Sequence, residues 1–412
     1  MATIACVREA TANERRCALM PVNVKAYKHL GADVIIESGL GKGLHISDEE
    51  YINAGASVLA DRQQVLSLAD VILSVNPLTE ADIDNISDKI VISFLDPFND
   101  SGYTDLLCRQ QITSLSMEMI PRSTRCQKMD ALSSQASLAG YVMVTKAIAE
   151  LHSILPMMMT AAGTIKPAKV FIIGAGVAGL QAIATAKRLG AAVTAFDTRE
   201  IVAEQVRSLG AKFLDIDLGE TGQTAQGYAQ ALTEVQIKIQ QQAQEKCIAE
   251  SDIVITTAQL FGRKPPQLIN QSTIALMKPG SVIVDMAALS GGNVDGSIAG
   301  KTNSVYGVKI IGTGNWSNEV PLNASQMYAN NLMSLVSEFW NKESNQLKID
   351  LNDDILKSAV ITHQGHITNE TIRKFLHLPP LDVASIKDSE IELTTLTPLM
   401  AESLNQKTVE PA

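Results

Sequence analysis

Apolar and polar residues follow two alternating rhythms along the first 130 positions. Short runs such as ATIACV, DVIIES, DVILSV and IVISFL are apolar enough to be buried strands. Between them, MPVNVKAYKHLG and DEEYINAG carry apolar residues at helical spacing, and Gly31 stands where a helix C′ residue belongs. This rhythm predicts a parallel sheet with helices on its faces. ITSLSMEMI reads as a further strand, ended by Pro121, and residues 131–155 read as one long helix. A second alternating block runs from about 168 to 313, with strands KVFIIG, AVTAFD, KFLDI, DIVITT, SVIVDM and VKIIGT. NASQMYANNLMSLVSEFW is then a second long helix, expected to return the chain to the first block. From about residue 350 the pattern fades. DLNDDIL could close the fold, and the ending LTTLTPLMAESLNQKTVEPA reads as irregular. The expected organisation is a discontinuous first domain (1–130 with 318–375), a second domain (131–317) that includes the linking helix, and a flexible tail (376–412).

Composition narrows the class. The 412 residues suit two domains, and 46% hydrophobic against 19% charged residues supports a substantial core. Only 4% are aromatic, which favours Ala/Gly-packed α/β layers over a β sandwich. A net charge of −10 argues against a nucleic-acid surface. The five cysteines lack metal-ligand spacing and read as reduced thiols of a cytosolic compartment, with Cys126 a packing residue rather than a reactive one. The N-terminus lacks the basic and apolar regions of a signal peptide. No apolar run reaches the ~18 residues a spanning helix needs, so the chain is expected to be soluble by itself.

The strongest local signal is KVFIIGAGVAGLQAIATAKRLGAAVTAFDTRE. Gly174, Gly176 and Gly179 form G-x-G-x-x-G between a strand and a helix, and the next strand delivers Asp197, eighteen residues after Gly179. Gly174 permits the tight turn, Gly176 lets backbone approach a pyrophosphate, and Gly179 allows close helix–strand packing. The helix N-terminus offers N–H groups to phosphates. Asp197 can accept both ribose hydroxyls and would repel a 2′-phosphate, which selects NAD over NADP. Arg199 tempers that choice, since an arginine there could meet a 2′-phosphate.

A second concentration of chemistry lies in MEMIPRSTRCQKMDALSSQ, where Arg122, Arg125, Gln127, Lys128 and Asp130 crowd a predicted strand end. Asp130 could equally cap the helix that follows, and Arg122 could be a surface ion pair. Three further stretches read as ordinary structure on their residues alone. GSIAGKT is one residue short of a phosphate loop, His363 and His366 in HQGH lack further ligands and read as surface residues, and QTAQGYAQALTE reads as a polar loop with Tyr228 at its tip.

Taken together, PRSTRCQKMDALSSQASLAGY, PMMMTAAGT and GVAGLQAIATAKRLGA resemble the NAD(H)-binding first domain of the alpha subunit of proton-translocating NAD(P) transhydrogenases, over roughly residues 1–375. That family shares its fold with alanine dehydrogenases. The resemblance implies two Rossmann-like, doubly wound parallel-sheet α/β domains linked by long helices. It places the hydride-transfer loop on Arg122, Gln127 and Asp130, with Ser133 just after. It adds Val177, Thr198, Gly227 and Gln240 to the cofactor contacts, with Gln259 beside the adenine, and it makes Tyr228 part of a loop that folds over bound NAD(H). Gln127 would then read the nicotinamide carboxamide, while Arg122 and Asp130 would pair with each other or reach the pyrophosphate and ribose.

Alanine dehydrogenases carry a catalytic histidine at the position of Asp96 and a pyruvate-binding lysine near ILSVNPL, where only Ser74 and Asn76 stand here; Arg16 matches an arginine of both groups. Without the lysine and histidine a keto-acid is hard to polarise and protonate. The implied activity is therefore Si/Re-type hydride transfer between NAD(H) on this chain and NADP(H) on a separate beta subunit, coupled to proton translocation by membrane-spanning partners. The implied state is a homodimer, cytoplasmic and peripheral on the inner membrane through those partners. Two rivals stay open: an amino-acid dehydrogenase of the alanine dehydrogenase type, and an NAD-binding regulatory protein without a redox partner. Gln259 and Trp316 depart from the family pattern.

Overall fold

The computed structural model describes residues 2–99, 101–218, 233–259, 262 and 264–381. Its first sheet has eight described strands, in the order His366–Ile367, Val360–His363, Thr113–Ser116, Ile90–Ser93, Val71–Leu73, Thr3–Cys6, Asp33–Glu37 and Ser57–Leu59. Six of them run parallel, and the first two form an antiparallel edge. The second sheet runs Lys212–Phe213, Ala192–Phe196, Lys169–Ile173, Ile253–Thr256, Val282–Asp285, Val308–Ile311 and Thr302–Val305, parallel except for the last strand.

The apolar runs need no alternation because both faces of each sheet are covered. Ile4, Cys6, Val34 and Ile36 pack on one side of the first sheet, Ala5, Ile35 and Ile72 on the other. In the second sheet, Val170 and Ile172 face one layer, Phe171 and Ile173 the opposite one.

Two long helices join the sheets. Ala131–Glu150 crosses the helix Val177–Arg188 so closely that a Cβ on Gly140 would stand 2.2 Å from the Ala178 carbonyl oxygen. Pro321–Glu338 returns to the first sheet, with Tyr328 buried and its hydroxyl donating to the Ser74 carbonyl at 2.9 Å. Between them, Gln135 Nε2 donates to the Ala324 carbonyl at 3.1 Å and Ser134 Oγ to Asn331 Oδ1 at 2.8 Å.

Four expectations change. The strand read in ITSLSMEMI stops at Ser116 and becomes a 3-10 turn over Met117–Met119, which brings the Glu118 carboxylate to the Asp96 N–H. The helix predicted over 131–155 ends at Glu150, where Leu151 turns extended ahead of Pro156, a residue that could not continue the helix. The fold does not close at DLNDDIL: this stretch opens the helix Asp354–Ala359, and the chain then adds the antiparallel edge strands. His363 is not a surface residue but is buried, with Nδ1 2.9 Å from Thr113 Oγ1, because its strand packs against Thr113–Ser116. No helix among the described residues is long and apolar enough to cross a membrane.

Candidate functional site

The glycine loop opens where the strand Lys169–Ile173 ends. Gly174 takes φ +99, and its N–H donates to the Phe196 carbonyl at 2.8 Å. A Cβ there would stand 2.4 Å from Thr257 Oγ1, and one on Gly179 only 1.9 Å from the Gly174 carbonyl oxygen. Both positions are thus closed to any side chain. Gly176, the N-cap of the helix Val177–Arg188, differs: a Cβ there would meet only Arg199 Nη2 among the described residues, at 4.0 Å. Its missing side chain leaves room above the helix N-terminus, which is what a pyrophosphate requires.

Thr257 escapes a reading of the sequence by motif. Its hydroxyl lies 3.1 Å from the Gly174 carbonyl oxygen and 3.3 Å from that of Ile173, locking the turn from the neighbouring strand end. The signal for it is topological, the first residue past a strand that flanks the reversal of strand order.

Asp197 ends the strand Ala192–Phe196 and is nearly buried. Its Oδ2 accepts from Ala175 N at 2.7 Å and Arg199 Nη2 at 2.9 Å, and its Oδ1 from Arg199 N at 2.8 Å and Nε at 3.0 Å. The hydrogen bonds to Asp197 hold the guanidinium above its usual range. Val177 is exposed at the first turn of the helix, and Thr198 is half-buried between Asp197 and Arg199. Gln240 is buried in the helix Glu234–Ala249. Gln259 is exposed at the start of a loop whose ends, the Ala258 and Pro266 carbonyls, are tied by Asn293 Nδ2 at 3.0 and 2.8 Å. In that loop a Cβ on Gly262 would come 2.9 Å from the Phe98 ring, so the second sheet's loops reach the first sheet's. Gly227 and Tyr228 lie outside the described residues.

The segment 121–130 follows the first sheet. Arg125 anchors it: Nη2 and Nη1 pair with Glu338 at 2.8 Å and Asp353 at 2.6 Å, and its guanidinium lies 5.5 Å from the Phe339 ring centroid. The sequence offered Arg125 no role; those partners stand more than 200 residues away. Arg122 and Gln127 are exposed on the same turn. Asp130 caps the helix Ala131–Glu150, accepting from Ser133 N at 2.8 Å and Ser133 Oγ at 2.6 Å. Cys126 is buried, with Ser123 Oγ 3.1 Å from its sulfur.

Across the joint between the sheets, Arg16 is almost wholly enclosed. Its Nε and Nη2 hold the two oxygens of Glu14 at 2.8 and 2.7 Å, and Nη1 donates to Gln135 Oε1 at 3.1 Å and Ser317 Oγ at 2.9 Å. Burial opposes the charge on Glu14, but the bonds from Arg16 hold its carboxyl below the ordinary 4.5. Asn76 lies against the same Glu14 at 3.3 Å, while Asp96 is exposed and bonded to Asn99 at 2.6 Å. A cavity of about 280 Å³ beside Asp96, lined by Pro77, Leu78, Leu95 and Tyr103 among others, shares no residue with the glycine loop. Trp316 is buried in the second sheet's core and donates to the Met286 carbonyl at 3.2 Å.

The family model described as alanine dehydrogenase/PNT, N-terminal domain matches residues 5–139, and the corresponding C-terminal domain model matches residues 143–370. An NAD(P) transhydrogenase alpha-subunit chain of Rhodospirillum rubrum is 40% identical over 377 residues, covering 90% of this chain and 98% of that protein. The crystal structure of transhydrogenase from Sinorhizobium meliloti superposes with a TM-score of 0.77 at 39% identity, covering 90% of this chain and 99% of that one. An L-alanine dehydrogenase structure reaches a TM-score of 0.78 at 24% identity over 91% of this chain and 99% of its own, a likeness of fold.

Proposed function

The chain belongs to the alanine dehydrogenase/PNT family, and from that premise we propose that it is the NAD(H)-binding component of a proton-translocating NAD(P) transhydrogenase. The observation that carries this reading is the pairing of an open glycine cradle at Gly176 with an enclosed Arg16. The residues fit a dinucleotide. Gly174 makes the turn, Gly176 and Val177 present backbone N–H groups to a pyrophosphate, Asp197 serves the adenosine ribose, and Thr198, Gln240 and Gln259 flank the adenine. The acidic Asp197 favours NAD(H) over NADP(H).

Bound NADH would supply a hydride to NADP⁺ on a separate beta subunit, leaving NAD⁺ and NADPH, with no proton taken up or released in that step. The chain's task is therefore to bind and orient the dihydronicotinamide. Gln127, exposed and without a side-chain hydrogen bond among the described residues, is available to read a carboxamide. Arg122 and Asp130 flank it, and Arg125 fixes the turn that carries all three. A keto-acid reaction has less support: most donors of Arg16 are engaged by its own chain, and Ser74, Asn76 and Asp96 stand where a lysine and a histidine are needed.

In this reading residues 131–317 form the cofactor domain, and residues 1–130 with 318–375 the other. Membrane-spanning partners couple transfer to proton movement and hold the chain on the cytoplasmic face of the inner membrane. The chain pairs with a second copy. The antiparallel hairpin Met158–Thr160 with Gly163–Ile165 supports this, since a lone two-stranded ribbon is marginal in water and this one exposes Met157, Met158, Met159 and Ile165.

The test mixes the chain with NADH, an NADP⁺ analogue and the NADP-binding domain of a transhydrogenase beta subunit. Rapid transfer is expected only when that domain is present, and Gln127→Asn should slow it roughly ten- to a hundredfold, the order a misplaced reacting group costs. NADH formed or consumed with alanine, or with pyruvate and ammonia, and no transfer to the NADP⁺ analogue would overturn the proposal.

A further inference from the structure

The Asp197 carboxylate is full. A carboxylate offers about four lone-pair sites, and here four N–H groups reach it: Ala175 N at 2.7 Å, Arg199 N at 2.8 Å, Arg199 Nε at 3.0 Å and Arg199 Nη2 at 2.9 Å. Two come from backbone that shapes the glycine loop and the strand end. The other two belong to one side chain, and two is the number of hydroxyls that a cofactor's adenosine ribose must place on this acid. The guanidinium also stands over the loop itself, since Arg199 Nη2 is the sole described atom within 4.0 Å of where a Gly176 Cβ would be.

We infer that Arg199 is a built-in competitor for the adenosine-ribose subsite: in the ligand-free chain its Nε and Nη2 occupy the positions of the two ribose hydroxyls, and a dinucleotide binds only by displacing it. This rests on the NAD(H) reading above and assigns Arg199 a role opposite to that of a phosphate contact. Displacement is feasible because Nε and Nη2 of Arg199 hold a residue only two positions away in sequence, so the backbone need not move when the side chain turns out. Part of every cofactor's binding energy goes into breaking that ion pair. The arginine lowers affinity for either redox form of the dinucleotide and so eases the release of NAD⁺ after transfer.

Titrating the full chain with NADH by calorimetry separates the possibilities. Arg199→Ala and the similarly shaped Arg199→Gln should each bind NADH roughly three- to tenfold more tightly than the wild type, the order expected when a competing, partly buried ion pair is removed. Arg199→Lys, which cannot hold both oxygens, should fall between. Two variants guard against a folding defect, which thermal melting would reveal. Unchanged or weaker NADH binding by the folded Ala and Gln variants would overturn the inference and leave Arg199 a structural or phosphate-binding residue. Failure of the wild type to bind NADH at all would instead remove the cofactor reading beneath it.

Discussion

Counted along the chain, the six mutually parallel strands of each sheet run 3-2-1-4-5-6, so each sheet has a crevice between its first and fourth strands where the order reverses. In the first sheet that crevice is bridged by a side chain. The Glu9 carboxylate, just past Thr3–Cys6, accepts from Val75 N at 2.7 Å and from Asn76 N and Nδ2 at 3.0 Å, just past Val71–Leu73. In the second sheet the first strand ends in glycines, and Thr257 crosses to it, its N–H donating to the Ile173 carbonyl at 2.8 Å and its hydroxyl lying near the Ile173 and Gly174 carbonyls. The switch point gives both units an opportunity to bind. The loop after the first strand differs between them: Gly174 and Gly176 leave the second crevice without a side chain, whereas Glu9, three residues past Cys6, bonds the far side of the first and closes it. Each sheet also carries a carboxylate between strand ends, but Glu9 bonds groups of the fourth strand's end across the crevice, whereas Asp197, past the second strand, takes one N–H from beyond the first and pairs with Arg199 on its own strand end.

That contrast predicts unequal costs of removal. Glu9→Ala strips the acceptor from two backbone N–H groups and should cost about 3 kcal/mol, at ~1–3 kcal/mol for each polar group left unsatisfied. Arg199→Ala takes donors from a carboxylate that keeps two backbone N–H bonds, and should cost about 1 kcal/mol or less. Urea unfolding of the two variants beside the wild type measures both, and equal losses would break the comparison.

Smaller effects should appear with pH. Desolvation raises the Glu9 carboxyl above its ordinary 4.5, against the bonds from Val75 and Asn76, whereas Glu14 is held below 4.5 by Arg16 in spite of burial. The signs are opposite. Relative to Glu14→Gln, the wild type should hold its full advantage above pH 4.5 and lose it as the pH falls through the lowered native value. Relative to Glu9→Gln, it should be best placed below pH 4.5 and lose ground as the pH rises through the raised native value. Stability measured from pH 3 to 7 should therefore give two difference curves of opposite slope, and parallel curves would refute the assignment.

Much of the second sheet was legible in the sequence because its logic is local. The strand, three glycines, the helix and Asp197 fall within thirty consecutive residues, and each glycine has the conformation or clearance that its place in the motif demands. The first sheet's site was not legible in the same way. Arg16 meets Gln135 and Ser317, 119 and 301 residues away, and nothing in NERRCALMP announces either partner. The edge strand Val360–His363 was missed because DLNDDIL has the composition of an ending, and its strand becomes buried only through pairing with Thr113–Ser116. Arg199 was visible as a residue but not as a rotamer. Whether its guanidinium faces outward to a phosphate or back to Asp197 depends on a turn of a few ångströms that no spacing encodes.

An effect of similar small size concerns a third carboxylate, Asp130, which resembles Asp197 in being engaged locally and Glu9 in bonding to backbone. Its oxygens take the N–H and hydroxyl of Ser133 at the head of the helix that leads into the second sheet. Asp130→Ala should cost about 1 kcal/mol, the typical value of an N-cap, and Asp130→Asn should recover nearly all of it because asparagine caps equally well. Transfer to a beta-subunit domain distinguishes what stability cannot. If Asp130 also orients the cofactor, its charge matters and Asp130→Asn should slow transfer while melting like the wild type. If the asparagine variant matches the wild type in both respects, Asp130 is a helix cap alone, and the orientation of the nicotinamide falls to Arg122 and Gln127.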